Sequence, residues 1–306
     1  MIDLDHVEER VSIDLDPLAE ARYAEFSLRN RPLIDSQWQQ KFREAVILVA
    51  GCGSTGGAAV EPLVRLGAEN LRLCEPGTFE LNNLNRQSAT TSDLDQNKAV
   101  VLQERAERIN PAVHCEVNTE GITSQNAHAL VRGAAVVVDG VDVTTMNGWR
   151  AKYFLHEAAS RAGIPVVVGY DMSGVQYIRT YRYRAGDRPF DGAINLSDLR
   201  SETHWRLLHK VVPVRKVPID LLQGLSTMKG DEGFPQLVYT ALMFGAAASR
   251  IALCLVAGHP VAKEVVLDLH SEVLPAPARL RARITAPLRR AMLLDRVLPQ
   301  LVPQRK

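Results

Sequence analysis

The chain has 306 residues, enough for one large α/β domain or two ordinary ones around a sizeable core. Its hydrophobic content of 46% and charged content of 23% are those of a globular protein, and a net charge of +1 argues against a bulk electrostatic commitment to nucleic acid. The start, Met1-Ile2-Asp3-Leu4-Asp5-His6, is acidic and lacks an apolar run, and no uninterrupted apolar stretch reaches the ~18 residues of a membrane span, so a cytoplasmic protein without membrane contact is expected.

Residues 1–45 are expected to be helical and polar. Asp16-Pro17 suits a helix start, with Leu18, Ala21 and Phe26 at helical spacing after it, and residues 36–42 suit a second short helix. Between them lies the basic segment Ser27-Leu28-Arg29-Asn30-Arg31-Pro32, closed by a proline.

The next stretch organises the rest. Val46-Ile47-Leu48-Val49-Ala50 predicts a strand buried on both faces, followed by Gly51-Cys52-Gly53-Ser54-Thr55-Gly56 and a helix-like run. In such a Gly-x-Gly-x-x-Gly loop Gly51 allows the tight turn, Gly53 lets phosphate oxygens approach and Gly56 lets the helix sit on the strand, with the helix N-terminus offered to an anion. A second strand, 70–74, ends at Glu75, about twenty residues on, where an acid in a nucleotide-binding unit meets a ribose.

Asn83-Leu84-Asn85-Arg86-Gln87 has no period and predicts a loop. Residues 98–109 predict an amphipathic helix starting at Lys98, and 113–117 a third strand. A helix over 123–130 follows, then a fourth buried strand ending at Asp139, with Asp142 just beyond. A helix over 149–162 and a strand over 165–170 complete a βαβαβ pattern.

Residues 175–183 alternate, as an antiparallel strand half exposed to water does. Residues 201–234 are polar and punctuated by Pro and Gly; they predict a mobile loop, with His204 and His209 as ordinary members of it. A long apolar helix over 236–256 and a last strand over 264–269 follow. The fold expected is α/β and Rossmann-like, a largely parallel sheet with helices on both faces continuing into antiparallel strands.

From residue 273 the composition turns basic: Arg279, Arg281, Arg283, Arg289, Arg290, Arg296, Arg305 and Lys306 outweigh Asp295. Repeated prolines predict a broken, solvated tail that packs its leucines on the domain or on a second copy. The division expected is therefore 1–45, 46–272 and 273–306. The four cysteines, Cys52, Cys74, Cys115 and Cys254, form no Cys-x-x-Cys pair, which indicates neither a zinc site nor a redox dithiol.

In this order, the glycine loop, an acid, Asn-Leu-x-Arg-Gln, a lysine and Asp-x-x-Asp resemble the ThiF/MoeB superfamily, which includes the ubiquitin-activating enzymes and adenylates carboxylates with Mg-ATP. The likeness runs from about Arg29 to Asp268. It implies that Gly51, Gly53, Ser54 and Gly56 face the phosphates and that Glu75 holds the ribose. Asn83, Arg86, Gln87 and Lys98 would reach the triphosphate, and Asp139 would hold Mg2+, with Asp142 nearby. Arg29 resembles a basic residue that this family contributes near the ATP phosphates, often from the dimer partner, so a homodimer is implied. The chemistry suits these types: in-line attack on phosphorus calls for arginine, lysine and a metal rather than a nucleophile.

The sequence departs from the family at Ser54, at Gly77, where many relatives carry a second acid, and at Val143. It also has no cysteine between Cys115 and Cys254, where thioester-forming relatives keep theirs. This resembles the stand-alone bacterial branch that acts on peptides, small proteins or small metabolites. Three other readings stay open: an NAD-dependent oxidoreductase, from the glycine loop and Glu75 alone; a catalytically inactive nucleotide-binding scaffold; and tRNA modification using the basic tail.

Overall fold

The computed structural model describes residues 17–228 and 233–301, with side chains through 294. The acidic start, Arg305, Lys306 and the Arg296 side chain lie outside the described residues.

Two helices lead in, α1 (Pro17–Phe26) and α2 (Ser36–Glu44), the second capped by Asp35, whose side chain accepts from Gln37 N at 2.8 Å. Then strands and helices alternate: β1 (Val46–Ala50), α3 (Ser54–Leu66), β2 (Asn70–Cys74), α4 (Lys98–Ile109), β3 (His114–Asn118), α5 (Ala127–Val131), β4 (Val136–Asp139), α6 (Met146–Ala162) and β5 (Val166–Met172). After β6 (Val175–Tyr181) come α7 (Asp198–Ser201), α8 (His204–Val211), α9 (Ile219–Thr227) and α10 (Val238–Val256). The chain closes with β7 (Glu264–Asp268), α11 (Leu269–Glu272) and α12 (Ala276–Leu301).

The seven strands form one sheet in the order β3-β2-β1-β4-β5-β6-β7. The first five are parallel, while β6 is antiparallel to both β5 and β7. The chain winds outward from β1 to β3 and then returns to β4 on the other side of β1. Strand order therefore reverses between β1 and β4, and the carboxyl ends of these strands open a crevice.

Alternation along β1 shows how the sheet is covered. Leu48 and Ala50 join a core with Trp149, Tyr153 and Leu155 of α6 and Leu207 and Val211 of α8. Ile47 and Val49 join the opposite core with α3, α4 and Phe244, Ala248 and Ile251 of α10. Both faces being covered, the central strands are apolar throughout.

Four expectations need correction. β6 is buried along nearly its whole length, because α10 covers the far face and the α8 layer the near one. Residues 201–234 are largely helical: α8 and α9 each have an amphipathic face, Leu207 with Val211 and Leu221, Leu222 with Leu225, sunk in the core. The segment over 123–130 holds only the short helix α5. The C-terminal segment is one continuous helix despite its prolines; it packs along α9, with Arg290 Nε donating to Val217 O at 3.3 Å. Helix α10 is long and apolar enough to cross a membrane, but it lies against α3 and the sheet with Phe244, Ala248 and Ala252 fully buried.

Candidate active site

Sheet register sets the floor of the crevice. Ala50 pairs with Cys74 and with Asp139, and Asp139 pairs with Val168. Gly51, Glu75 and Gly140 thus leave the sheet at one level, while β5 runs on to Met172 beside β6. Gly51 does so at φ +81°, and a Cβ there would lie 2.6 Å from the Gly140 backbone, so only glycine turns β1 into α3 this close to the end of β4. At Gly53 a Cβ would meet only the Gln87 amide, at 3.8 Å, which leaves that face open to a ligand. Helix α3 begins at Ser54, so its free N–H groups point into a cleft of about 490 Å³. Gly51 and Gly56 form the turn behind this opening rather than its lining.

Glu75 lines the cleft, with Oε2 accepting from Cys52 N and Oε1 from Gly77 N, both at 2.8 Å. A Cβ at Gly77 would lie 2.9 Å from Glu75 Oε1, so the missing second acid makes room for the first. Asn97 caps α4, accepting from Ala99 N at 2.9 Å, and its amide donates to Glu75 O at 2.9 Å. That tie brings Lys98, the first residue of α4, beside Glu75 on the cleft wall.

The Asn83 to Gln87 loop is folded by its own amides. Glu80 N donates to Asn83 Oδ1 at 3.3 Å, and Gln87 N to Asn83 O at 2.9 Å. Asn83 is thus a buried turn former on the cleft wall. Arg86 is held by Gln236 Oε1 at 2.7 Å and Asn82 O at 2.7 Å, and burial lowers its pKa while Asp171 partly restores it. The buried Gln87 Oε1 has no hydrogen-bond partner among the described residues, an orphan in the cleft wall that a ligand donor would satisfy.

The structure separates the two acids after β4. Asp139 is 0% exposed and does not line the cleft. Its Oδ1 accepts from Val141 N at 2.9 Å, and its Oδ2 meets Lys152 Nζ at 2.7 Å and His156 Nε2 at 2.9 Å. Burial pushes its carboxyl up, but Lys152 and His156 together hold it below the usual range. Burial lowers both Lys152 and His156. His156 Nδ1 continues the network to Tyr183 OH at 2.7 Å. The expectation that Asp139 holds Mg2+ is corrected: it is buried away from the cleft, and its oxygens are engaged by Val141 N, Lys152 and His156. Asp142 is an exposed carboxylate on the cleft, ordered by Thr144 N at 2.8 Å, the Thr144 hydroxyl at 2.8 Å and Thr145 Oγ1 at 3.1 Å.

Asp142 also suits a hard cation. Among the described residues no group of three His, Cys, Asp or Glu could hold a metal alone, and Mg2+ is commonly bound through one or two carboxylates plus phosphate oxygens. Arg29 lies on an exposed turn and is not part of the cleft wall. His204 begins α8, where burial lowers its pKa against the pull of Asp142, while His209 is exposed in the last turn.

Sequence reasoning missed one half of the cleft. Asp171 and Met172 of β5, Trp205 and Leu208 of α8, Val212, Phe234 and Gln236 also line it. Trp205 and Phe234 lie 5.8 Å apart between ring centroids. Asp171 is 7% exposed, and burial pushes its carboxyl up to about 6 against the hydrogen bonds of Ser54 and Thr55. The one available signal was an acid closing an apolar strand, the same signal that marked Asp139.

A model of the ThiF family matches residues 27–260. The chain is 32% identical over 139 residues to a sulfur carrier protein adenylyltransferase of Thermus thermophilus, a match covering 45% of this chain and 49% of that one. It thus spans about half the length of this curated relative. Among solved structures, PaaA superposes with a TM-score of 0.60 at 19% identity, covering 86% of this chain and 84% of that one. The E. coli tRNA N6-threonylcarbamoyladenosine dehydratase TcdA in complex with ATP superposes with a TM-score of 0.56 at 22% identity, covering 79% and 96%.

Proposed function

Because the chain belongs to the ThiF family, we propose that it is a cytoplasmic, homodimeric, Mg-ATP-dependent adenylyltransferase. It activates the carboxylate of a peptide, small protein or small molecule as an acyl adenylate for transfer to a nucleophile. The observation that carries this reading is the convergence of Arg86, Lys98, Asp142 and the orphaned Gln87 Oε1 on the N-terminus of α3 in one cleft.

An oxygen of the acyl carboxylate attacks the α-phosphorus in line, the bond to the bridging oxygen breaks, and pyrophosphate leaves with the electron pair, so a mixed anhydride remains. Such a displacement needs charge neutralised and reactants held in place. The first-turn N–H groups of α3 and Lys98 hold phosphate oxygens, and Arg86, whose Nε and Nη1 are held by Gln236, Asn82 and Asn85, turns its charge and its Nη2 donors to them. Glu75 retains lone pairs for ribose hydroxyls beyond those its two backbone donors use. Asp142 would hold Mg2+ together with phosphate oxygens, where the ion would neutralise further charge. Arg29 reaches the phosphates from a second copy.

The cysteines support direct transfer. Cys52, Cys74 and Cys115 are buried, and burial pushes the Cys74 and Cys115 thiols up to about 12. Cys254, half-buried on α10, does not line the cleft, and none of the four is suited to carry a thioester there.

Calorimetric titration of the full chain with Mg-ATP, and separately with NAD, tests the nucleotide; substrate-dependent pyrophosphate exchange tests the chemistry. Mg-ATP should bind, NAD should not, and Arg86→Ala and Asp142→Ala should each lower exchange by roughly 100-fold or more. NAD binding with ATP silent, or full exchange in both variants, would overturn the reading.

A further inference from the structure

The two ends of the cleft meet at Asp171. Its Oδ2 lies 3.2 Å from both Ser54 Oγ and Thr55 Oγ1, at the start of α3, and 3.5 Å from Gln236 Nε2. With the Gln176 amide oriented so that both its atoms are satisfied, Gln176 donates to Asp171 Oδ1 at 2.6 Å and to Thr240 O at 3.1 Å, and accepts from Tyr170 N at 3.1 Å. The carboxylate is therefore fixed by neutral donors at the base of an otherwise apolar chamber walled by Met172, Trp205, Leu208, Val212 and Phe234.

This placement is costly unless it is used. A carboxylate beside an anion-binding helix N-terminus repels the anion that the N-terminus attracts, and burial penalises its charge as well. Asp171 does not act as the helix cap, since it bonds the hydroxyls of Ser54 and Thr55 and leaves their N–H groups to the cleft. Among the described residues it is the one carboxylate in this half of the lining, and no lysine or arginine bonds it directly; Arg86 reaches it through its field and through Gln236. A carboxylate has about four acceptor positions. Ser54, Thr55 and Gln176 take three of them, and the long Gln236 contact leaves the fourth weakly held.

Resting on the adenylation reading above, we propose that Asp171 is a specificity-determining residue. It accepts a hydrogen bond from an N–H on the carbon next to the carboxylate being activated. The acyl substrate is then an amino acid, or the last residue of a short peptide, whose apolar side chain packs against Trp205 and Phe234. The N–H answers the carboxylate, the aromatic pair answers the side chain, and the substrate carboxylate is directed towards the N-terminus of α3. An ammonium satisfies Asp171 as a free amino acid would, and an amide N–H as a peptide end would.

The test is pyrophosphate exchange by the full chain with three matched sets of probes. These are leucine and phenylalanine, their N-acetyl forms, and the acids that lack the nitrogen altogether, 4-methylpentanoate and 3-phenylpropanoate. At least one N–H-bearing probe should support exchange with a kcat/KM roughly 100-fold above its nitrogen-free counterpart, because binding the latter leaves a buried acceptor unpaired. The free and N-acetyl arms separate amino acid from peptide end. In Asp171→Ala that preference should collapse to within about 3-fold, mostly through KM, and Asp171→Asn, which keeps an acceptor, should restore part of it. Nitrogen-free acids that serve equally well, or an Asp171→Ala variant that keeps the preference, would overturn the proposal and leave adenylation standing. Silence of the whole panel while Mg-ATP still binds would also overturn it, whereas failure of Mg-ATP to bind would defeat the adenylation reading itself.

Discussion

Glu75, Lys98 and Asp142 reach the cleft from loops pinned by backbone hydrogen bonds, whereas Trp205, Leu208 and Phe234 reach it from segments held by apolar packing. The first arrangement fixes side-chain positions to the sheet: Cys52 N and Gly77 N hold Glu75, Asn97 ties α4 to β2, and Thr144 N holds Asp142. The second depends on α8 resting on the core through Leu207 and Val211. A nucleotide is the same in every turnover and rewards rigid donors. An acyl group differs from protein to protein, and a packed wall can change its lining without disturbing the sheet.

Beneath the rigid half lies the device that stiffens it, and breaking it should give the largest effect. Lys152 is 1% exposed and its Nζ lies 2.7 Å from Asp139 Oδ2, whose partner oxygen holds Val141 N. Lys152→Met strands a buried carboxylate with His156 alone. Urea unfolding at neutral pH should show a loss of about 3–5 kcal/mol, and Lys152→Met with Asp139→Asn together should recover part of it. A stable Lys152→Met protein that lost only catalysis would move this pair from the scaffold into the site.

That contrast also governs what could be read from the chain alone. The glycine loop, Glu75 and Lys98 were legible as cleft residues because each follows a strand or opens a helix at a fixed local spacing, whereas Arg86 and Gln87 stood out only through the resemblance of Asn-Leu-x-Arg-Gln. The choice between Asp139 and Asp142 was not, because both acids follow the same apolar strand. Asp139 is still in the sheet, paired with Ala50 and Val168, with its side chain turned into the α6 layer; Asp142 is three residues past it, in the turn. Lys152 and His156 left a faint trace as polar residues on the buried side of α6, in step with Trp149, Tyr153 and Ala159. Prolines and glycines hid α8 and α9 by cutting one polar stretch into two short helices, each with its own apolar face. The acyl half needed tertiary structure, since Asp171, Trp205 and Gln236 meet only once β5, α8 and the lead-in to α10 are assembled.

A smaller effect sharpens the boundary between the halves. Burial pushes the Asp171 carboxyl up to about 6, well above its unfolded value, so between about pH 4 and 6 the folded chain binds this proton more tightly than the unfolded chain. The Asp171 contribution to stability is therefore greatest at low pH, falls as pH rises through 6, and stays lost above it. Asp171→Asn removes that titration. Measured by thermal or urea unfolding, the variant should gain on the wild type by about 2 kcal/mol between pH 4.5 and 7.5. A pH-independent difference would mean that the carboxylate is as well solvated as an exposed one, and the argument for an unpaired acceptor in the chamber would weaken with it.

The smallest effect should come from the packed wall itself. Trp205 is half-buried and in contact range of Phe234, and among the described residues its side chain makes no hydrogen bond to the nucleotide half of the cleft. Trp205→Ala removes one face of the chamber, at a cost of about 1–2 kcal/mol in transition-state binding, which corresponds to roughly 5- to 30-fold in kcat/KM for the acyl substrate. Because the donors at the α3 end are pinned to the sheet, Mg-ATP affinity by calorimetry should stay within about 2-fold of wild type, well below the tenfold that 1.4 kcal/mol represents. The reverse pattern is expected of Arg86→Ala, which faces the phosphates. If Trp205→Ala weakened Mg-ATP as much as it weakened the acyl substrate, α8 would be bracing the nucleotide end as well. The division between a hydrogen-bonded half and a packed half would then have to give way to a single closing unit in which α8 bears on both substrates.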